Sequence, residues 1–198
     1  MNRVIIALVL FVLSGFSVNS LANMEPQALV ENVAQETLTR IKKDQEKIKS
    51  DDKYLNVLVN ELVIPHFDFQ RMSKWVLGKY WRKAQNGQKE RFVEEFKSLL
   101  IRTYASSLNE YVDQEIHYLP FRGDLGSGDV TVRSEIKQPG GFPIPINYRL
   151  HKKSKNWKVY DITIDDISLV ANYRTSFSRQ IRKSGIDALI KQLADKNK

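Results

Sequence analysis

The sequence contains no cysteine, and this absence limits both its chemistry and the ways in which it can be stabilised. Disulfide bonds, thiolate catalysis and attachment of a lipid to a cysteine are all excluded. The fold must therefore depend on burial of apolar side chains and on backbone hydrogen bonds.

Histidine is also scarce, since the chain has only His66, His117 and His151. Their spacing never places two imidazoles on one face of a helix, so the sequence does not favour a metal site. A phosphate-binding loop is not indicated either. The glycines within residues 123–128 lie between two predicted strands, where hairpin glycines are expected, and not between a strand and a helix. We expect neither a metal nor another cofactor.

Three aspartates, Asp161, Asp165 and Asp166, cluster around the end of the last predicted strand. Paired carboxylates can act as general acid and base, but aspartates that connect a strand to a helix ordinarily cap the helix. Capping is the interpretation we favour, and the sequence therefore offers little that is typical of an enzyme.

Long apolar runs are missing too, apart from a short one near the N-terminus. Arg3 precedes the apolar run Val4 to Leu13. Polar or small residues interrupt its extension, and the segment has the small-residue ending Ser20-Leu21-Ala22. This run is shorter than the ~20 residues that span a bilayer. The pattern predicts a signal peptide over residues 1–22 that is cleaved after export, leaving one domain at residues 23–198.

The chain has an excess of basic residues, with 31 Lys and Arg against 23 Asp and Glu. A basic surface favours anionic partners. Along the sequence the cations are scattered among acids and do not form one strip, which argues against a nucleic-acid partner. An anionic membrane surface or an acidic protein fits an exported protein better.

The spacing of apolar residues predicts helices at both ends of the domain and strands between them. Helical periodicity covers residues 25–49, 52–63, 88–111 and 168–182, a last piece from Ser184 onward, and short aromatic-rich pieces over 66–87. Alternation with period two predicts strands at 112–119, 130–136, 144–151 and 157–164. Short turns between the strands imply an antiparallel meander. The expected fold is α+β, with a curved antiparallel sheet of about four strands whose apolar face packs against helices.

Several fragments spread over most of the chain also form an ordered series. They are Val63-Ile64-Pro65-His66-Phe67-Asp68-Phe69, Leu77-Gly78-Lys79-Tyr80-Trp81-Arg82, Gln88-Lys89-Glu90-Arg91-Phe92 with Phe96, Leu99-Leu100-Ile101-Arg102-Thr103-Tyr104-Ala105, Trp157-Lys158-Val159-Tyr160-Asp161-Ile162, and Ser168-Leu169-Val170-Ala171-Asn172-Tyr173-Arg174 with Phe177. In order and spacing, this series resembles the MlaC family of periplasmic phospholipid-binding proteins, also called toluene-tolerance proteins. One departure is that Asp165-Asp166-Ile167 precede Ser168, where the family usually has an acidic residue, Gly and Val.

The resemblance implies a monomeric periplasmic carrier without enzymatic activity. Such a carrier shuttles phospholipid between an outer-membrane lipoprotein–porin complex and an inner-membrane ABC transporter complex, and so maintains outer-membrane lipid asymmetry. It also implies an apolar pocket between helices and sheet that encloses the acyl tails.

For this pocket we select one helical face and one sheet face. The predicted lipid-binding residues are Phe92, Phe96, Leu100, Tyr104, Val132, Ile144, Ile146 and Tyr148. The alternative for each of them is ordinary core packing, because apolar stripes usually pack against other elements. Arg82, Arg149 and Arg174 are candidates for contact with a phosphate, with surface or ion-pair roles as their alternative.

Two other functions stay open on the residues alone. One is a small hydrolase or isomerase in which Asp161 and a histidine act as acid and base, which requires the two groups to converge in space. The other is a periplasmic adaptor or chaperone that binds apolar protein segments in place of lipid.

Overall fold

The computed structural model describes residues 24–51, 53–110, 113–138 and 140–197. The predicted signal peptide, residues 1–22, lies outside the described residues. Across the described ranges, no helix combines the length and the apolar character needed to cross a membrane.

Helices form both ends of the described chain. They are α1 (Pro26–Lys43), α2 (Gln45–Ser50), α3 (Tyr54–Leu62), α4 (Phe69–Leu77), α5 (Lys79–Lys83), α6 (Asn86–Glu110) and α7 (Leu169–Asn197). The single helix predicted over 25–49 is divided at Asp44. The carboxylate of Asp44 accepts hydrogen bonds from Arg40 Nε at 2.5 Å and from the Tyr54 hydroxyl at 2.8 Å, which ties this point of the chain to the start of α3.

The strands between α6 and α7 form one antiparallel sheet in the order β1-β2-β3-β4-β5. Their bounds are β1 (Ile116–Tyr118), β2 (Asp129–Ile136), β3 (Ile144–Lys153), β4 (Asn156–Ile164) and β5 (Ile167–Ser168). The predicted α+β fold and antiparallel meander are confirmed, with a shorter first strand and a fifth strand of two residues.

The fifth strand follows from a tight turn at Asp165 and Asp166. Both residues adopt left-handed backbone conformations, with φ of 48° and 60°. Two consecutive residues of this kind form the hairpin turn that matches the twist of antiparallel strands. The chain therefore folds back so that Ile167 pairs with Ile164, where the sequence had predicted a direct connection from strand to helix.

Asp161 caps α7 from the preceding strand. Its carboxylate accepts hydrogen bonds from the Ser168 hydroxyl at 2.7 Å and from the Val170 amide at 3.1 Å. The capping interpretation is thus confirmed for Asp161, whereas Asp165 and Asp166 act through the turn. The break in the last helix that the sequence predicts at Ser184-Gly185 occurs within α7 at Gly185, whose φ of 83° is not helical.

Buried apolar residues gather in three clusters. The first joins α4, α6 and α7, and includes Phe92, Phe96 and Phe177. The second joins the first turns of α1 to the sheet, and the third joins α1, α2, α3 and the middle of α6. These clusters frame the site described next.

Candidate functional site: an apolar cavity between helices and sheet

A cavity of about 450 Å³ lies where the three clusters meet. Its wall includes Met72 of the first cluster, Val30 of the second and Ile101 of the third. A volume of this size falls in the range of small-molecule sites, which is about 300–1,000 Å³. The void is thus a gap between packed regions and is large enough for a ligand.

Helices α1 and α6 supply two walls of the cavity through residues spaced by three or four positions. On α1 these are Leu29, Val30, Val33, Ala34, Thr37 and Leu38; on α6 they are Leu100, Ile101, Tyr104, Ala105, Ser107 and Leu108. Residues at this spacing share one face of a helix. Further apolar residues from α3, from the turn that follows it and from α4 close the wall between these helices, among them Val59, Phe67 and Phe69.

The sheet supplies the remaining wall through alternate residues of adjacent strands. Ile144, Ile146 and Tyr148 of β3 point to the cavity together with their neighbours in register, Ile136, Ile164 and Ile162. Period-two alternation places all side chains of this set on one face. The apolar face predicted from the strand pattern is therefore the face that the cavity uses.

Polar groups are few in the cavity wall, and no Asp, Glu, Lys or Arg is among its described residues. Burial, followed by the nearby positive charge of Lys158, lowers the pKa of His66, so the imidazole is neutral at pH 7. Burial, followed by the neighbouring Tyr173, raises the pKa of Tyr104 to about 12. Burial also raises the pKa of Tyr148, so both phenols stay protonated. The wall is uncharged, as a site for hydrocarbon requires.

Five of the eight predicted pocket residues lie in this wall, namely Leu100, Tyr104, Ile144, Ile146 and Tyr148. Phe92 and Phe96 lie instead in the packed cluster against α7, where the Phe96 ring is 5.3 Å from Tyr173 and 6.1 Å from Phe177. Each step of four residues turns a helix by about 40° beyond a full turn. The stripe that begins at Phe92 therefore faces α7 and reaches the cavity only at Leu100.

Val132 also lies outside the cavity wall, although it shares a strand face with Ile136. It belongs to the cluster in which Leu29 and Val30 of α1 pack on the sheet. Helix α1 thus packs on the sheet near Val132, and the cavity borders the sheet at Ile136 and Ile144. Contact of any of the eight residues with lipid stays a prediction.

Sequence reasoning missed the contribution of α1, α3 and the turn after α3. The apolar residues of α1 have the spacing of any helix packed on a core, and spacing does not distinguish a residue that faces a void from one that faces another side chain. The available signal was their number: one helix of modest length carries Leu29, Val30, Val33 and Leu38 on one side.

The candidate catalytic groups do not converge. Asp161 is occupied by Ser168 and Val170, while His151 Nε2 lies 3.0 Å from Asp68. Asp68 also accepts a hydrogen bond from the Arg71 amide at 3.0 Å and pairs with Lys153 at 3.0 Å. Among the described residues, no hydroxyl bonds to His151, and no group of three or more His, Asp or Glu side chains is arranged to hold a metal.

The three arginines considered for phosphate contact lie outside the cavity wall. Arg149 stacks over Tyr160 and Trp75, at 4.9 Å and 5.4 Å from the ring centroids. Arg174 lies against Gly78, and Arg82 is exposed on α5. Their positions fit the surface role that was the alternative to phosphate contact.

A second depression, also of about 450 Å³, lies on the polar side of α1. Its lining includes Glu36, Arg40 and Lys43, and it is more open to solvent than the first. Enclosure and an apolar wall distinguish the first cavity as the candidate site.

The family model for the MlaC protein matches residues 31–195. The chain belongs to the MlaC family. This confirms the resemblance inferred from the ordered series of fragments, and the match spans both the helices and the sheet that form the cavity.

Similar proteins agree with this assignment. The chain is 30% identical to the intermembrane phospholipid transport system binding protein MlaC of Haemophilus influenzae, over 92% of this chain and 88% of that protein. It is 28% identical to the toluene tolerance protein ttg2D of Pseudomonas putida, over 90% of this chain and 83% of that protein.

A solved structure of the phospholipid-binding protein from Ralstonia solanacearum, in complex with a phospholipid, has the same architecture. The TM-score is 0.81 at 33% identity, covering 88% of this chain and 97% of that chain.

Proposed function

We propose that this protein is a periplasmic phospholipid carrier that encloses acyl tails in the cavity between α1, α6 and the sheet. The observation that carries the proposal is the uncharged, apolar wall of the 450 Å³ cavity. Membership of the MlaC family and the phospholipid bound in the similar Ralstonia structure support it.

The energetic reason for such a carrier is the cost of exposing lipid tails to water. Each buried methylene contributes ~0.8 kcal/mol, and a diacyl lipid has on the order of thirty of them. Release of a free lipid into water is therefore very slow. A dry apolar cavity removes most of this barrier, while the charged head group stays at the solvent boundary and keeps its hydration.

The same proposal includes the route and the partners. After export and cleavage of residues 1–22, the carrier exchanges lipid with an outer-membrane lipoprotein–porin complex and an inner-membrane ABC transporter complex, and so maintains outer-membrane lipid asymmetry. Its role is binding and release, without bond making or breaking. The separation of Asp161 from His151 in their hydrogen-bond networks favours this role over a hydrolase.

Uptake of fluorescently labelled phospholipid from vesicles tests the proposal. Ala34 lines the cavity, whereas its neighbour Gln35 on α1 is exposed. Ala34→Phe should fill part of the cavity and reduce uptake, and Gln35→Phe, which adds a similar ring outside it, should not.

Equal uptake by the two variants and the wild type would exclude this cavity as the lipid site. Release of head group or fatty acid during the same assay would favour the hydrolase. Tight binding of unfolded peptide without lipid uptake would favour the adaptor or chaperone.

A further inference from the structure

The positive charge of this chain is concentrated on one part of its folded surface. Residues 69–89 and 167–186 together contain ten of the 31 Lys and Arg residues and none of the 23 Asp and Glu residues. The rest of the chain carries 21 basic and 23 acidic residues, so these two segments account for the whole basic excess. Lys and Arg residues thus occur throughout the sequence, but their excess over Asp and Glu comes from these two segments.

The fold brings the two segments together, although about eighty residues separate them in the sequence. The first segment forms α4, α5 and the start of α6, and the second forms the first half of α7. Helices α4 and α7 pack against each other in the first cluster, and Arg174 of α7 lies against Gly78 at the end of α4. We call the solvent-exposed side of these two segments the basic face.

The cations of the basic face are accessible and mostly unpaired. Eight of the ten are exposed. Among the described residues, only Arg71 has a carboxylate partner, Asp129 at 3.0 Å. Of the acids that border these segments, Asp161 caps α7 and Asp187 pairs with Arg91 at 3.2 Å. Glu90, Asp165 and Asp166 are exposed at the segment ends and form no described ion pair with the ten cations. Ion pairs within the described chain therefore leave most of these cations free to attract an external anion.

The composition of the basic face decides which kind of anionic partner it fits. Protein interfaces have an apolar centre and are depleted in lysine. Here lysines are as numerous as arginines. The large hydrophobics exposed in the two segments are Trp75, at 37%, with Arg71 and Arg149 stacked near its ring, and Ile167, at 59%, in β5. Two single side chains on separate elements do not form an apolar centre. A broad set of unpaired cations without an apolar centre matches a plane of phosphate groups better, because each cation near such a plane adds to the attraction.

We propose that the basic face of α4, α5 and α7 is a membrane-contact surface that binds the anionic head groups of a phospholipid bilayer. The attraction is electrostatic and reversible, because the face presents no apolar segment for insertion. Binding concentrates the protein at the bilayer. This surface goes beyond the carrier function proposed above, and either proposal can fail without the other.

Vesicle flotation tests this surface, with vesicles of phosphatidylcholine alone and of phosphatidylcholine with phosphatidylglycerol at 7:3. We expect the purified protein to float only with the anionic vesicles at low salt. Binding should fall as salt rises, because screening shortens the range of the attraction to ~3 Å at 1 M.

Two charge-reversal variants localise the binding. Lys74→Glu/Arg179→Glu/Arg182→Glu alters the basic face, and Lys43→Glu/Lys53→Glu/Lys155→Glu makes the same change of six charges at exposed positions elsewhere. The first variant should bind anionic vesicles at least about tenfold more weakly than wild type, whereas the second should keep most of the affinity. Circular dichroism and thermal midpoints verify folding, and extraction of co-purifying lipid tests the carrier function separately.

Three outcomes would overturn the proposal. One is equal flotation with neutral and anionic vesicles. Another is equal loss of binding in both variants, which would assign the effect to net charge. The third is absence of flotation at low salt, which would leave an acidic protein as the partner of this face.

Discussion

Substitutions at Phe96 and Ile146 should separate the packed core from the cavity wall. Both residues belong to apolar stripes of the same kind in the sequence. In the structure the Phe96 side chain is 0% exposed within a cluster of aromatic rings, whereas Ile146 borders the cavity. Substitutions at the two positions should therefore have different effects, one on stability and the other on lipid retention.

At Phe96 the expected loss is one of stability. Its ring lies 5.7 Å from Phe92, 5.3 Å from Tyr173 and 6.1 Å from Phe177, so truncation removes three aromatic contacts and leaves a void. Phe96→Ala should lower the free energy of unfolding by about 3–5 kcal/mol. A domain of ordinary stability, about 5–15 kcal/mol, can lose most of its margin in this way. The milder Phe96→Leu should cost about 1–2 kcal/mol.

At Ile146 the expected loss is one of lipid retention. Ile146→Gln places an amide against acyl chains, where it has no hydrogen-bond partner. This costs about 1–3 kcal/mol and should weaken lipid retention by roughly 5-fold to 150-fold. In the protein stripped of lipid, water that enters the cavity can hydrogen-bond to the same amide. The free energy of unfolding should therefore change less for Ile146→Gln than for Phe96→Ala.

The assay pairs two measurements on each variant. Guanidinium unfolding is followed by circular dichroism after removal of lipid, because a bound ligand would itself stabilise the folded state. Lipid retained per folded protein is measured separately. If Phe96→Leu loses lipid at unchanged stability, or if Ile146→Gln loses stability at unchanged lipid content, the assignment of these residues to core and wall is wrong.

Three further predictions concern the fold and its pH dependence. Replacing Asp166, at φ 60°, by Gly should raise the free energy of unfolding by roughly 0.5–1 kcal/mol, measured by denaturant titration, because glycine adopts this conformation without steric cost; a decrease would show that the Asp166 side chain has a role of its own. Asp161→Ala should lower it by about 1–2 kcal/mol through loss of the α7 cap, and a change near zero would contradict that role. Burial alone would raise the pKa of Asp68, but hydrogen bonds from the Arg71 amide, Lys153 and His151 bring it below its ordinary value. The stability that this carboxylate contributes is therefore present above the unfolded pKa of about 4 and is lost as pH falls through the lower folded pKa, so Asp68→Asn should flatten the acid limb of a stability–pH curve; an unchanged limb would contradict this.

The sequence predicted the elements whose periodicity is strong. Helix α6, predicted over 88–111, spans Asn86–Glu110, and the strands β2 to β4 differ from their predicted bounds by at most two residues. These elements bury one continuous face, so their pattern has a single period. The turn at Asp165 and Asp166 was missed because aspartate tolerates the left-handed region less often than glycine and reads more readily as a cap.

The cavity could be predicted only in part. The pattern of β3 identified Ile144, Ile146 and Tyr148, because alternation assigns a strand residue to one face without ambiguity. On α6 the apolar residues were identified correctly, but Phe92 and Phe96 face α7 whereas Leu100 and Tyr104 face the cavity. Residues four apart are rotated by about 40° relative to each other, so a row at this spacing winds around the helix. The two basic segments without acids can be counted in the sequence, but the basic face could not be predicted, because it depends on the contact of segments that are distant in the sequence.

Lipid analysis of protein purified without detergent tests the central claim most directly. Organic extraction followed by phosphorus determination and mass spectrometry should find phospholipid in a stoichiometric ratio to protein, and Ala34→Phe should lower that ratio. Protein that carries no extractable phosphorus, and that takes up no labelled phospholipid from vesicles, would contradict the claim that the apolar cavity between α1, α6 and the sheet is a phospholipid site.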